Sequence, residues 1–310
     1  MSSGGGPSRR GLLVYNPAAG SSDRRRQMEE LAARWAPRGL LLELLPTLQP
    51  GETSAEVRRR AAQAPDLVAV CGGDGTVGEV AAALVGSAVP LAILPAGTAN
   101  VVARELGLGR SVAEAERHLA SRRTAPVAVW PVAGRVSLLG VGVGYDARVM
   151  ARANPRLKRL LGRAGIGVTA LVEALRYDFP PLSVSGVDAG GRPFEREATL
   201  AVAANTRRYG GEFLLAPGAD PSDDLLDLVL FTGRSTAALV AFHLALLRGG
   251  GAHLRRRDVE RLEVRSASIL SLAEREVEAQ VDGDAAGTTP LTVGPVAGTV
   301  RFVVPAAPAT

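Results

Sequence analysis

The stretch Val68–Glu79, VAVCGGDGTVGE, decides the fold of this chain. An apolar run comes first, a glycine-rich turn follows, and a helical pattern begins near Thr76. This order predicts a strand, a tight turn and a helix. Glycine lacks a Cβ, so backbone N–H groups in such a turn approach an anion closely, and the positive N-terminal end of the helix adds to the attraction. We therefore predict a phosphate-binding loop formed by Gly72, Gly73, Asp74, Gly75 and Thr76.

The same turn also fits the dinucleotide-binding pattern G-x-G-x-x-G, through Gly73, Gly75 and Gly78. That pattern needs an acidic residue about 20 positions further on to hold a ribose, and the corresponding stretch Ile93–Gly97 has no carboxylate. Asp74 lies within the turn, where it would repel a pyrophosphate unless a cation lay between them. We interpret Asp74 as a metal-mediated phosphate contact. A plain glycine turn with Asp74 as the helix N-cap is the alternative.

Composition narrows the class of protein. With 310 residues the chain is long enough for two domains with their own cores. The formal charge is +5, and Lys158 is the only lysine, so no Walker-type Gly-Lys-Ser/Thr loop exists. Aromatic residues form 4% of the chain without an aromatic-basic cluster, which disfavours nucleic acid as a partner. The single cysteine, Cys71, lies on a predicted buried strand and fits a reducing compartment.

The apolar runs are too short for a signal peptide or a membrane span. The longest, Ala237–Leu247, predicts a buried helix rather than a lipid-facing one. The three histidines share no metal-ligand spacing with acids or the cysteine, so no zinc site is predicted. We expect a cytoplasmic protein, with a peripheral position on the inner face of the membrane as the second option.

Two folding patterns divide the chain. Up to Leu106, apolar strands alternate with helical stretches, which predicts an α/β domain with a parallel, doubly wound sheet. From about Pro126, short β-rich segments bounded by Gly, Pro or Asp predict a mostly antiparallel second domain. We expect a disordered tail over 1–10, an α/β nucleotide-binding domain over 11–126 and a β-rich domain over 127–310. The final residues of the last range could return to the first domain.

Polar and glycine-rich residues follow each of the first four predicted strands. In parallel sheets, ligands bind beyond the carboxyl ends of the strands. We therefore expect four loops to share one edge of the first domain: Asn16–Gly20, the loop at Thr47, Gly72–Thr76 and Pro95–Asn100.

These loops form part of an ordered set of motifs that resembles the catalytic domain of the diacylglycerol kinase family, bacterial lipid kinases related to diacylglycerol and sphingosine kinases. The resemblance covers roughly residues 12–305. Beyond the four loops, it rests on Gly142–Ala147, on Ala203–Asn205, on Asp223–Asp227 and on Val281-Asp282-Gly283-Asp284.

The resemblance implies an ATP-dependent kinase that uses Mg²⁺ and phosphorylates the hydroxyl of a lipid alcohol such as diacylglycerol. Domain 127–310 would then bind the lipid. The implied nucleotide-binding residues are Asn16, Thr47, Gly72, Gly73, Asp74, Gly75, Thr76 and Thr98.

The resemblance also implies roles for individual aspartate and asparagine residues. Asp74 would reach the catalytic Mg²⁺, and Asp282 would be the general base, although Asp74 competes for that second role. Asp146, with Asn100, would contact the acceptor lipid, while a helix N-cap is the alternative for Asp146. Asn205 is either a residue that lines the site or a turn residue. All five belong to motifs that carry the resemblance.

Two departures from the family pattern concern metal binding. Asp224 corresponds to a carboxylate for a structural Mg²⁺, but Leu225 stands where glycine is usual. If that position needs a positive φ, leucine would strain the loop. Asp284 stands where glutamate is usual, which keeps the charge and shortens the reach, so a metal contact there would be water-bridged.

The segment Arg152–Arg163, RANPRLKRLLGR, combines four arginines and one lysine with leucines. It predicts either a helix on an anionic membrane surface or an ordinary solvated helix. The remaining functional alternatives are a NAD kinase-like enzyme, whose family shares the Gly-Gly-Asp-Gly-Thr turn, and a nucleotide-binding regulator without turnover. The sequence specifies neither the acceptor lipid nor the oligomeric state.

Overall fold

The computed structural model describes residues 8–19, 23–49, 51–152, 163–210 and 213–306. Contacts divide the chain into two compact units. The first comprises Met1–Val127 together with Gly298–Thr310, and the second comprises Ala128–Ala297. Within the described residues, no helix has both the length and the apolar character needed to cross a membrane.

The first unit alternates strands and helices, as the sequence predicts. Its strands, numbered in chain order, are β1 (Arg9–Tyr15), β2 (Leu40–Pro46), β3 (Leu67–Gly72), β4 (Leu91–Pro95) and, from the end of the chain, β18 (Gly298–Val303). Its α-helices are α1 (Arg24–Trp35), α2 (Glu52–Ala61), α3 (Asp74–Leu84), α4 (Val101–Glu105) and α5 (Val112–Glu116).

These five strands form a parallel sheet in the order β2-β1-β3-β4-β18. The central strand, β3, is buried at every position, as expected for a strand covered by helices on both faces. Cys71 lies on it with no exposed surface, and burial raises the pKa of its thiol to about 11. A thiol with so high a pKa is a core residue rather than a nucleophile.

The second unit is β-rich. Its strands are β5 (Thr124–Val132), which begins in the first unit, then β6 (Arg135–Ser137), β7 (Gly140–Val143), β8 (Leu182–Asp188), β9 (Pro193–Ala198), β10 (Leu200–Ala204), β11 (Arg208–Tyr209), β12 (Phe213–Leu214), β13 (Leu226–Phe231), β14 (Val259–Ser271), β15 (Glu278–Val281), β16 (Asp284–Thr288) and β17 (Leu291–Val293). Its α-helices are α6 (Tyr145–Arg152), α7 (Arg163–Arg176) and α8 (Thr236–Arg248).

Strand β14 joins two antiparallel layers of the second unit. Its first half pairs with β13 and continues the layer β16-β15-β7-β10-β13, and its second half pairs with β8 and β17. The register of its pairing with β8 shifts between Val264 and Ser266, which is the irregularity expected where a strand bends between layers.

The first layer has a different hydrophobic core on each face, because side chains along a strand alternate. In β13, Leu228 and Leu230 face the core between the two layers. Val229 and Phe231 face the opposite way and contact the apolar sides of α6, α7 and α8. The unit is therefore a two-layer β-sandwich with helices on one outer face.

Three segments differ from the sequence prediction or fall outside the described residues. Helix α8 was predicted to be buried, yet Val240, Leu244 and Leu247 are exposed, so only one side of the helix meets the core. The basic segment Arg152–Arg163 lies outside the described residues over 153–162. Strand β1 begins at Arg9, two residues before the expected start of the first domain.

Candidate functional site

The loops that follow the first four strands lie along one edge of the parallel sheet. The first backbone N–H beyond each of three strands donates to a carbonyl of the neighbouring strand, which fixes where each loop begins. These bonds run from Thr47 to Tyr15 (2.8 Å), from Asn16 to Cys71 (3.0 Å) and from Ala96 to Gly72 (2.9 Å). The structure thus brings together Asn16, Thr47, the glycine turn and Thr98, which the sequence predicted to bind the nucleotide.

The glycine turn is shaped by close approach rather than by left-handed backbone. Gly73 is extended, with φ −91° and ψ −178°, and α3 begins directly after it. A Cβ on Gly72 would lie 2.6 Å from the Cβ of Thr76, and a Cβ on Gly97 would lie 2.5 Å from the Cα of Gly73. Two loops therefore touch through their bare backbones beside the start of α3, where the first N–H groups of the helix have no partner within the helix.

Asp74 is the first residue of α3, and Gly73 is the cap residue. The predicted alternative, Asp74 as the N-cap, is therefore wrong. Its Oδ1 accepts a hydrogen bond of 3.2 Å from the backbone N of Val102, near the start of α4. The carboxylate thus lies where the starts of two helices meet, a position that favours negative charge.

Asn100 shapes its own loop. Its backbone is left-handed, with φ 48° and ψ 50°. Its Oδ1 accepts a bond from the N of Gly97, and its Nδ2 donates to the carbonyl of the same residue, both at 2.9 Å. The side chain is buried. In the structure, the side chain of Asn100 thus holds its own loop. The sequence analysis predicted instead that Asn100 contacts the acceptor lipid. Thr98, at the tip of this loop, is exposed.

In the second unit, Asp282 lies in a two-residue turn between β15 and β16. Asp282 (φ 53°) and Gly283 (φ 86°) are both left-handed, as a type I′ hairpin turn requires. The carboxylate of Asp282 accepts four hydrogen bonds from the loop between β6 and β7. The donors to Oδ1 are Ser137 Oγ (2.6 Å), Leu139 N (2.9 Å) and Gly140 N (3.1 Å), and the donor to Oδ2 is Leu138 N (2.9 Å).

This arrangement leaves one oxygen of Asp282 available. Oδ1 accepts from three donors, whereas Oδ2 accepts from Leu138 N and keeps a lone pair that could accept a proton. Burial raises the pKa of the carboxyl above its usual range, and the four donors oppose that rise. A raised pKa brings a carboxylate closer to the range useful for a general base at neutral pH.

Asn205 holds the opposite side of the same loop. It has no exposed surface. Its Nδ2 donates to the carbonyls of Leu138 (2.7 Å) and Ala128 (3.1 Å), its backbone N donates to the carbonyl of Leu139 (2.9 Å), and its Oδ1 accepts from Trp130 Nε1 (3.0 Å). The sequence left its role open between lining the site and serving a turn. In the structure Asn205 positions the loop that binds Asp282.

Asp146 begins a second polar cluster. It lies in the first turn of α6, so the N-cap alternative is wrong here too. Its Oδ2 accepts hydrogen bonds from the Tyr209 hydroxyl and from Gln280 Nε2, the latter at 3.2 Å. Its Oδ1 is buried and has no hydrogen-bond partner among the described residues. Burial raises the pKa of this carboxyl, and a Cβ on Gly142 would clash with it.

A buried oxygen without a partner is costly. The Oδ1 of Asp146 is therefore suited to receive a hydroxyl or ammonium donor from a ligand. Tyr209 and Gln280, which orient this carboxylate, were not found from the sequence. No spacing signal in the sequence links Tyr209 to Asp146, 63 residues away.

The two other predicted metal ligands, Asp224 and Asp284, lie at the surface of the second unit. Asp224 is exposed and forms an ion pair with Arg265. Leu225 does not have a positive φ, so the strain considered for this position is absent. Asp284 is exposed at the start of β16. In the part of the chain that the structure describes, no group of three or more His, Cys, Asp or Glu side chains is arranged to hold a metal ion.

Comparison with known proteins agrees with this architecture. A profile of the diacylglycerol kinase catalytic domain matches residues 10–132, and a profile of the YegS C-terminal NAD kinase β-sandwich-like domain matches residues 140–307. A diacylglycerol kinase of Mycobacterium tuberculosis (strain H37Rv) is 29% identical over 261 residues, covering 79% of this chain and 78% of the relative. A candidate YegS-like lipid kinase of Pseudomonas aeruginosa is 31% identical over 243 residues, covering 77% and 76%.

Solved structures show the same likeness. A candidate diacylglycerol kinase of Bacillus anthracis (strain Sterne) superposes with a TM-score of 0.78 and 25% identity, covering 100% of both chains. A second structure from that organism gives a TM-score of 0.73 at 23% identity, which supports the fold alone. The chain therefore belongs to the diacylglycerol kinase family, which includes the YegS-like lipid kinases, and it is a lipid kinase, a phosphotransferase.

Proposed function

We propose that the protein transfers the γ-phosphoryl group of ATP to the hydroxyl of a lipid alcohol such as diacylglycerol, with Mg²⁺. The observation that carries this proposal is the contact between the glycine turn and Gly97 at the carboxyl edge of the parallel sheet. Two bare backbones meet there beside the start of α3, which provides N–H donors and a positive helix end for a triphosphate.

Residues of the first unit would bind the nucleotide. Thr76 and the N–H groups of the turn would contact phosphate oxygens, and Asn16, Thr47 and Thr98 would contact the rest of the nucleotide along the same edge. The Oδ1 of Asn16 already accepts a hydrogen bond of 2.8 Å from Ala18 N, so its Nδ2 is the group that would donate to the nucleotide. Phosphate charge has to be met by backbone, arginine and metal, since the chain has a single lysine.

Asp74 fits the role of magnesium ligand. Mg²⁺ is usually held by one or two carboxylates completed by phosphate oxygens and water, so a single carboxylate beside the phosphate loop suffices. When bound, the ion supplies neutralisation of the charge that develops during phosphoryl transfer. The location of Asp74 at the start of α3 stabilises its ionised form, which suits a metal ligand better than a proton acceptor. Asp224 would have to leave Arg265 to bind a cation.

Residues of the second unit would handle the acceptor. Oδ1 of Asp146 would accept a hydrogen bond from the head group of the lipid. Oδ2 of Asp282 would take the proton of the attacking hydroxyl, because this oxygen keeps a lone pair and burial raises the pKa of the carboxyl. Since phosphoryl transfer depends mostly on positioning and electrostatics, the base contributes less here than in acyl transfer. With ATP as the phosphoryl donor, we expect the reaction to take place on the cytoplasmic side of the membrane.

A turnover assay tests the proposal. Purified protein is incubated with γ-labelled ATP, Mg²⁺ and a panel of lipid alcohols, with NAD as a separate acceptor, and products are identified by mass spectrometry. We expect a phosphorylated lipid, and loss of turnover in Asp74→Asn. A matched control is Asp23→Asn, because Asp23 caps α1 and asparagine caps equally well.

Three results distinguish the alternatives. Product from lipid and not from NAD supports the proposal. Product from NAD alone would make the enzyme NAD kinase-like. Nucleotide binding without product from any acceptor would favour a regulator without turnover.

A further inference from the structure

The outward side of two neighbouring helices in the second unit is apolar. We name this surface the outer leucine face. It consists of Leu171, Val172 and Leu175 on α7 and Val240, Leu244 and Leu247 on α8. Leu175, Leu244 and Leu247 are 73%, 61% and 63% exposed. Six large apolar side chains on one surface far exceed the scattered single leucines that ordinary surfaces carry.

The two helices present these residues on the same side of the molecule. Ala174 of α7 and Leu239, Phe242 and Leu246 of α8 pack on the same face of the sheet. The helices also touch directly, because the Thr236 hydroxyl donates to the Ala174 carbonyl at 3.3 Å. Since both helices bury their inner sides against one sheet face, their outer sides point away from it in common.

The core does not explain the outer leucine face. In α8, Leu239, Phe242 and Leu246 form the inner stripe, at the spacing of a helix packed on one side. Leu244 and Leu247 belong to a second stripe on the opposite side, where a helix in water carries polar residues. A helix that is apolar on both sides needs a second apolar environment.

Charge around this surface identifies that environment. Helix α8 contains no acidic residue, and the described side chains of α7 include one, Glu173, which is buried and paired with Arg148 at 2.8 Å. Arg176, Arg248 and Arg255 are exposed at the ends of the two helices and beyond. The surface is therefore apolar with a positive edge.

Apolar and positive groups also meet in one groove. A groove of about 480 Å³ is lined by Leu244, Ala245, Arg248, Ala252 and Arg255. Neither Arg248 nor Arg255 forms an ion pair with a carboxylate of the described residues, so both guanidinium groups are available to an anion. A leucine beside unpaired arginines matches the boundary of a bilayer, where acyl chains meet phosphate groups.

We propose that the outer leucine face docks on an anionic lipid bilayer, with its leucines in the boundary between head groups and acyl chains and with Arg248 and Arg255 on lipid phosphates. The inference rests on the proposed function, because a lipid acceptor is delivered from a membrane. A second copy of the chain fits this surface less well. A two-fold interface pairs the same surface of both copies, and the described side chains of α7 and α8 present no exposed carboxylate to the arginines.

Vesicle sedimentation tests the surface directly. The full chain is mixed at low salt with vesicles of phosphatidylglycerol and phosphatidylcholine, or of phosphatidylcholine alone. We expect binding to the anionic vesicles and little binding to the neutral ones. The double variant Leu244→Ser, Leu247→Ser should bind about tenfold or more weakly, since each leucine contributes buried apolar area. Arg248→Gln, Arg255→Gln should lose about fivefold for each charge and most of the salt dependence.

Two controls separate docking from folding and from catalysis. Leu41→Ser changes an exposed leucine of the first unit and should leave vesicle binding unchanged. Turnover of a short-chain, water-soluble acceptor should be unchanged in the leucine double variant, while turnover of a long-chain acceptor in vesicles should fall with binding. Thermal unfolding of each variant checks that the fold is intact.

The outcomes are distinct. Wild type that fails to bind anionic vesicles at low salt overturns the proposal, and so does a leucine double variant that binds as wild type does. A wild-type dimer that the leucine changes dissociate without affecting vesicle binding would assign the face to self-association and overturn membrane docking. Vesicle binding without phosphorylated product would leave the docking surface standing and refute the proposed function.

Discussion

Replacing Asp282 by asparagine separates two roles that this residue could have. The carboxylate holds the loop of Ser137–Gly140 through four hydrogen bonds, and its Oδ2 is available as a base. Asparagine has almost the same shape but only one acceptor oxygen. With that oxygen at the Oδ1 position, its NH₂ group would face the N–H of Leu138, donor against donor.

The structure gives the size of the effect. One hydrogen bond to a charged acceptor is lost, worth about 1.5–3 kcal/mol, and the remaining three lose the charge that strengthened them. We expect Asp282→Asn to lower the free energy of unfolding by about 2–4 kcal/mol, or Tm by roughly 5–10 °C. Asp284→Asn removes the same charge two residues away at an exposed position and should cost less than about 0.5 kcal/mol.

Ser137→Ala provides the comparison for catalysis. It removes one of the four donors and keeps the carboxylate, so it loosens the loop without removing the base. ATP turnover is measured well below the Tm of both variants. If Asp282 takes the proton, kcat of Asp282→Asn should fall about 10²-fold or more, whereas Ser137→Ala should fall far less.

Two separate results would contradict these roles of Asp282. An Asp282→Asn protein as stable as wild type would refute the account of the four donors. Equal kcat in Asp282→Asn and Ser137→Ala would show that the carboxylate acts by holding the loop and would remove Asp282 as the base.

Three further predictions follow from other contacts. Gly97→Ala should abolish nucleotide binding in equilibrium titration, because its Cβ would meet backbone at 2.5 Å, whereas Gly78→Ala, with open space around its Cβ, should bind normally; normal binding by Gly97→Ala would contradict the close-approach account. Tyr209→Phe should raise KM for the lipid about tenfold and leave KM for ATP unchanged, because the hydroxyl orients Asp146; equal changes in both constants would indicate a general structural effect. Burial lowers the pKa of His253 below its usual value of about 6.5, so the folded state binds fewer protons than the unfolded chain. Stability should therefore fall as pH drops below about 6.5, by up to about 1.4 kcal/mol per pH unit for this residue. His253→Gln should show a shallower fall in chemical denaturation, and identical slopes would contradict it.

The sequence predicted the parts of the site whose signal is local. The glycine turn follows a buried strand and opens a helix, and those features are adjacent in the chain, so the turn and the position of Asp74 could be predicted directly. The contact between Gly73 and Gly97 could not, because it depends on two strands lying side by side. Motif membership also left open whether Asn100 contacts a ligand or its own loop.

Hydrogen bonds between residues that are distant in the chain could not be predicted from the sequence. The donors to Asp282 lie more than 140 positions before it, and no spacing rule connects them. Helix α8 shows a different limit. An all-round apolar pattern predicts burial, but it does not say what covers each side, and the protein core covers only one.

The position of β18 has a consequence for how the protein is made on the ribosome. β4 is synthesised early, yet its parallel partner, in which Phe302 is paired with Leu91 and fully buried, emerges only after the whole second unit. Until then the growing chain carries an incomplete sheet with an open edge, the kind of surface that aggregates or recruits chaperones. Release of residues near Phe302 from the exit tunnel should therefore be the step that completes the sheet of the first unit.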